Sequence, residues 1–145
     1  MEEEEEEESE VTKTVREAVV NAFDKGEDIT EKVSEITRDV VKKALEGAEV
    51  TREKVESTAK DAMKGAIEGA EKTKVEVTVI IKGAAEGTID GTKQAGVKTA
   101  DLVEHAAEAA LDSAKEVGGK TVDVAKDVVK GVLGAVIEIL EKKKK

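Results

Sequence analysis

Aromatic side chains are almost missing from this chain: Phe23 is the only one, and there is no Trp, Tyr, Cys or Pro. The large rings that usually dominate a core are therefore unavailable, and any core must be assembled from Ala, Val, Ile and Leu. Without cysteine the chain carries no thiol nucleophile and is silent on redox compartment. Without proline, helix boundaries must be set by glycine and by capping side chains. No run of about 18 uncharged apolar residues occurs, so no membrane span is expected. The N-terminus lacks a basic region followed by an apolar run, which leaves no secretory signal and makes the cytoplasm the expected location, with peripheral contact at membranes. A basic stripe is lacking too. The formal net charge is −10, and nucleic acid is not an expected partner, because phosphate neutralisation needs clustered Lys and Arg.

What is present is charge and repetition. Charged residues make up 40% of the 145 residues and apolar ones 39%, a mixture that at helical periodicity points to amphipathic helices and without it would point to disorder. The periodicity is there: "AAEAALDSAKE" at 106–116 and "VGGKTVDVAKD" at 117–127 superpose with an 11-residue step. Counted from Ala18, eleven such blocks run to Glu138 without an insertion. Eleven residues make three turns of about 3.67 residues, so each column keeps its place on a helix face.

The columns sort by chemistry. The fifth (Ala22, Val33, Ala44, Val55, Ala66 and onward) and the ninth (Gly26, Ala48, Ala59, Ala70, Ile81 and onward) are never charged. The sixth carries Phe23, Leu45, Ile67, Ile89, Leu111, Val122 and Leu133. Together they form an apolar stripe, and its expected interaction residues are Phe23, Val33, Leu45, Val55, Ile67, Ile81, Ile89, Val103, Leu111, Val122, Val132, Leu133 and Val136. Across the helix, the seventh column reads Asp24, Glu35, Glu46, Glu68, Asp90, Asp101, Asp112 and Asp123, an acidic line flanked by Lys32, Lys43, Lys54, Lys60, Lys82 and Lys93. Basic flanks around an acidic centre suit a helix lying in a lipid headgroup layer; the same order also serves to solubilise a helix through i,i+3 and i,i+4 pairs.

Few breaks interrupt the register. In "DKGEDITEK" Gly26 ends one helix, and Asp28 with Glu31 caps the next. Gly47 and Thr51 mark a second boundary and Gly118–Gly119 a weaker third. The expected layout is a helix over 10–24, another over 29–47, a third from 51 and a long distal stretch to 141, with an acidic tail at 1–10, one helical repeat domain at 11–141 and a basic tail at 142–145. The segment "VEVTVII" at 75–81 is β-branched and alternating, yet it keeps the 11-residue phase, and helix is preferred over strand. Gly65, Gly69, Gly83, Gly87 and Gly91 recur at four-residue steps within two groups, and all but Gly83 fall in columns that border the stripe, the spacing that lets a second helix approach closely.

Catalytic chemistry is hard to find. His105 is the single histidine, with Asp101 and Glu108 on its helical face and nothing expected to bury it, so no metal site is assigned. "STAK" at 57–60 has the Ser-x-x-Lys spacing without the companion motifs that give it meaning. No cofactor, metal or small-molecule substrate is expected, and no enzyme.

The column order, two apolar residues, an acidic or amide residue, a further apolar residue and a later Lys with Asp or Glu, resembles that of group 3 late-embryogenesis-abundant proteins, best over residues 51–138. The resemblance implies a stress-protective protein that is largely disordered when hydrated and becomes helical on drying or at membranes; this chain differs in that its sixth column is usually apolar where that family tends to carry Lys. The expected fold class is all-α, with long amphipathic helices packed as an antiparallel helical bundle or folding conditionally. The expected function is shielding of membrane surfaces or exposed apolar protein surfaces. The alternative is a constitutively folded bundle acting as a structural or partner-binding module, including self-association.

Overall fold

The computed structural model describes residues 9–46, 51–75 and 77–96, together with positions 102, 104–106, 108–110, 112 and 113. It is an all-α helical bundle, and no strand occurs among the described residues. Four helices are bounded: α1 (Glu10–Asp24), α2 (Ile29–Glu46), α3 (Arg52–Thr73) and α4 (Val77–Gln94). The described positions between 102 and 113 are helical as well and form a fifth segment, α5.

Local chemistry sets most of the ends. Ser9 caps α1 by accepting from the Thr12 N–H at 3.0 Å, which satisfies one of the orphan donors of the first turn. At the other end Gly26 adopts φ 74°, its N–H bonds to Phe23 O at 2.9 Å and the Glu27 N–H reaches back to Ala22 O at 3.0 Å. That pair of bonds is a Schellman closure, which needs a residue in the left-handed region and so favours glycine. The Asp28 carbonyl then receives the Lys32 N–H, opening α2 four residues after α1 ends. Thr51 caps α3 through its side chain on the Lys54 N–H at 3.1 Å.

No boundary is expected between residue 51 and Gly118–Gly119, yet the chain is broken there twice. α3 stops at Lys74, a non-glycine residue at φ 61° whose N–H bonds to Ala70 O, and the chain turns through Val75 into α4. A second stop follows at Gly96, φ 102°. The alternating β-branched run is helical from residue 77 onward, while Val75 sits half-buried in the turn. One strand with no partner leaves its backbone groups unpaired, whereas a helix satisfies them internally.

The helices are arranged as stacked hairpins. α1 and α2 fold back on each other, so that Glu10, Val11 and Thr14 at the start of α1 line one groove with Val40, Lys43 and Ala44 at the end of α2. α3 and α4 make a second hairpin. α3 lies on α1 and α4 lies on α2, and these two contacts are the most extensive between helices. Both stacked pairs run parallel: Gly65 meets Thr12 and Val15 while Gly69 meets Arg16 and Val19, and Gly87 meets Ser34 and Thr37 while Gly91 meets Arg38 and Val41. Consecutive helices are thus antiparallel and stacked helices parallel, the connectivity of an α-solenoid in which each hairpin packs on its neighbour.

A single core runs between the hairpins. Val15, Val19, Val33, Val41, Leu45, Met63, Ile67, Ile80, Ile81 and Ile89 are all fully buried in it. Among the described residues alanine supplies ten of the 22 buried apolar ones, so the helices approach closely and each remaining large side chain carries a greater share of the burial.

Buried threonines are handled locally. Thr37 donates to Val33 O at 2.5 Å, Thr73 to Gly69 O at 3.0 Å and Thr92 to Thr88 O at 2.8 Å, each within its own helix. Thr12 instead crosses to α3, donating to Asp61 O at 2.9 Å. Thr88 is fully buried and its hydroxyl has no partner. A buried unsatisfied hydroxyl costs about 1–3 kcal/mol, and an isosteric methyl removes that cost. Thr88→Val is therefore expected to leave stability unchanged or raise it by about 1 kcal/mol, and Thr12→Val to lower it by about 1 kcal/mol. Urea unfolding of the two variants beside the parent chain checks the opposite signs.

Candidate interaction surfaces

The expected interaction stripe is distributed by the fold in a specific way. Val33, Leu45, Val55, Ile67, Ile81 and Ile89 are each at most 1% exposed, inside the core. Phe23, the largest apolar side chain, is the exception, with 44% of its surface open at the last turn of α1. Val103, Leu111, Val122, Val132, Leu133 and Val136 lie outside the described residues, as do the Gly118–Gly119 break, the basic tail and residues 1–8 of the expected acidic tail, whose last two positions are instead the cap and first residue of α1.

The glycines sit where helices meet. A methyl group at Gly69 would stand 2.8 Å from Val19 Cβ, and one at Gly91 would stand 2.5 Å from Arg38 O. At Gly65 it would run into Thr12 O, and at Gly87 into the Thr37 hydroxyl and Ser34 O. Gly83 is buried on α4. Small residues on one helix face, spaced four apart, let backbone pack against backbone, which is what the α1–α3 and α2–α4 contacts do.

Outside the core the surface is charged. The seventh-column carboxylates face solvent, with Asp24, Glu35, Glu46 and Asp112 exposed and Glu68 and Asp90 half-buried. Glu68 accepts from Arg16 Nη1 at 3.0 Å across the α1–α3 contact. On the α2–α4 side, Arg38 Nε donates to Asp39 at 3.0 Å. That bond, with the charge of Asp39 and then those of Glu35 and Asp90, raises the guanidinium pKa above its ordinary value. Parallel stacking of α2 on α4 is what brings Asp90 to the same arginine as Glu35 and Asp39. The exposed Arg38–Asp39 pair contributes little to stability, and its effect is mainly on solubility and on what the surface attracts, whereas Arg16–Glu68 is part-buried between α1 and α3.

A polar cleft lies between α3 and α5, lined by Arg52, Glu53, Glu56, Ser57, Lys60, His105, Glu108, Ala109 and Asp112. His105 Nδ1 is 3.3 Å from Glu56 Oε2 on α3 and 3.7 Å from Glu108 Oε1 on its own helix. The expectation that nothing buries His105 is corrected here: its side chain is 17% exposed, because α3 runs alongside. Periodicity within one helix could not reveal Glu56, which comes from a helix 49 positions earlier in the sequence. Glu56 is also held by Arg52 Nε at 3.3 Å. Ser57 and Lys60 of the Ser-x-x-Lys spacing line this cleft, but Ser57 Oγ donates to Lys54 O at 3.3 Å, as an ordinary helical serine does. No group of three His, Asp or Glu residues positioned to hold a metal ion is found among the described residues. Likewise no described helix is long and apolar enough to cross a membrane.

No protein-family model, curated protein or solved structure matches this chain. Its function has to be argued from its own geometry.

Proposed function

We propose that the protein works without catalysis, as a constitutively folded helical module that is structural or partner-binding and offers the charged outer faces of its stacked hairpins to other macromolecules. The observation that carries this reading is the burial of Val33, Leu45, Val55, Ile67, Ile81 and Ile89 within the chain itself. An apolar stripe already covered by the neighbouring hairpin is not available to lipid or to a client surface unless the stack opens. Stacked hairpins present long, regular faces, and this is the form in which repeat proteins usually meet partners.

A second reading, late-embryogenesis-abundant-like shielding of membranes or exposed protein surfaces, uses the same stripe in an opened state. Two features favour it: the 11-residue column order and a core in which ten of 22 apolar residues are alanine, so that opening the stack forfeits little burial per residue.

Far-UV circular dichroism separates the two. The folded-module reading expects strong helicity in dilute buffer, loss of that signal on heating, and a melting temperature unchanged by anionic or zwitterionic vesicles. Weak helicity in buffer that rises severalfold with vesicles or on drying overturns it in favour of shielding.

A further inference from the structure

Two turns of the chain are built alike, 48 residues apart. Gly26 at φ 74° and Lys74 at φ 61° are both left-handed, and each is followed by an N–H that closes the preceding helix, Glu27 on Ala22 O at 3.0 Å and Val75 on Ala70 O at 3.1 Å. The helices beyond keep the spacing. Ile29 to Val77 and Glu46 to Gln94, the starts and the ends of α2 and α4, are each 48 residues apart. Core positions keep it too: Val19 and Ile67, Val33 and Ile81, and Val41 and Ile89 are fully buried pairs at that separation. One hairpin path therefore occurs twice.

A third occurrence begins at α5. Gly65 lies against the carbonyl of Thr12, and Ser113 Oγ donates to the carbonyl of Lys60 at 2.9 Å; both residues of the second contact stand 48 positions beyond those of the first. α5 thus meets α3 in the register in which α3 meets α1. The 11-residue columns do not contain this unit, because 48 residues exceed four blocks by four, and equivalent core residues fall in different columns, Val33 in the fifth and Ile81 in the ninth. Four residues are about one helical turn, so the apolar face is kept while the hairpin repeats on its own longer step. Between the paths 10–46 and 58–94 only Ala18, Ala22 and Thr30 recur unchanged, as Ala66, Ala70 and Thr78. The repetition is of conformation and burial.

We infer that the chain is a tandem array of 48-residue helical hairpins, and that this unit, rather than the 11-residue block, is what can be added without loss of the fold, each addition extending the outer faces by one hairpin. Stacked repeats are held by contacts between nearest neighbours, so a unit that makes the same contact on both of its sides can be inserted between its neighbours. The second hairpin has that property along α3. It meets α1 through Gly65 and Gly69, and α5 through the Lys60 carbonyl. The inference rests on the folded-module reading and says what that module is made of.

The test inserts a second copy of residues 49–96 directly after Gly96, and compares it with a chain carrying a second copy of residues 57–67 directly after Ile67, within α3. The shorter insertion keeps every column in phase and continues the apolar stripe. It also lengthens α3 by about 16 Å between its cap at Thr51 and its turn at Lys74, so that α1 and α4 cannot both keep their registers on it. Circular dichroism with thermal unfolding is read on the parent and both variants. The 48-residue insertion is expected to show the parent's ellipticity per residue and a melting temperature at or above the parent's, and the 11-residue insertion to melt below both by about 10 °C. A 48-residue variant that melts below a folded parent overturns the inference. An 11-residue variant that melts with the parent does so as well, because any length in phase would then be accepted. Weak helicity of the parent itself in buffer is a separate failure, which removes the folded-module reading and the inference with it.

Discussion

Gly87→Ala is expected to destabilise the protein by about 1–2 kcal/mol, although alanine is the better helix former by about 1 kcal/mol. The added methyl would press on the Thr37 hydroxyl, on Ser34 O and, at 2.9 Å, on Arg38 N. Two of these three are backbone atoms of α2, which cannot rotate away as a side-chain terminus does. Relief requires α4 to move off α2, and the whole α2–α4 contact, the most extensive in the fold, loosens with it. Overpacking of this kind costs about 1–3 kcal/mol, which exceeds the propensity gain. Gly65→Ala meets Thr12 O in the same way and is expected to lose a similar amount at the α1–α3 contact. The double variant should lose close to the sum, since the two sites lie in different helix pairs. For a chain of this length each kcal/mol corresponds to about 3 °C in melting temperature. Thermal and urea unfolding followed by circular dichroism therefore resolve the single variants from the double. A gain in stability for either single variant, as helix propensity alone dictates, would mean that the stacked pairs are not in backbone contact.

How much of this was legible in the sequence follows from what is local. The stop at Gly26 and the start after Thr51 were readable, because a left-handed glycine and a hydroxyl on an N-terminal N–H act within four residues of themselves. The turn at Lys74 was not. Its left-handed backbone, φ 61°, closes α3 through the Lys74 and Val75 N–H groups on Ala70 O, and a lysine there sends no glycine signal. The 11-residue columns located the apolar face of each helix and, through the glycine spacing, the close approaches. They could not say which helix would cover which, since every block repeats the same face; the 48-residue step from Ile29 to Val77, the starts of α2 and α4, becomes visible only once the helices are bounded. His105 belongs to the same class. Its polar position was clear, but its cover comes from Glu56, on another helix. Phe23 shows the opposite failure, a residue in an apolar column left in solvent because the column leads past the end of the helix contact.

That contrast between stripe residues gives the second large effect. Ile67 is fully buried on α3, whereas Phe23 on α1 is 44% exposed. Truncating a buried Ile leaves a cavity and costs about 2–5 kcal/mol. In a core where ten of 22 apolar residues are already alanine, the neighbours have little side chain with which to collapse into the void, which places Ile67→Ala toward the upper half of that range. Domains of this size are stable by about 5–15 kcal/mol, so the variant is expected to lose a large fraction of its stability and to be partly unfolded at moderate temperature. Phe23→Ala removes more atoms but little buried contact, and is expected to change stability by less than about 1 kcal/mol. A stripe that acts as one surface on lipid would rank the two the other way, with the aromatic residue dominating binding and neither residue important in dilute buffer. Urea unfolding of both variants, with vesicle binding measured on the same samples, distinguishes these cases. A large loss for Ile67→Ala with none for Phe23→Ala is what a core internal to the chain requires; equal, negligible losses would mean that the stripe has no folded partner within it.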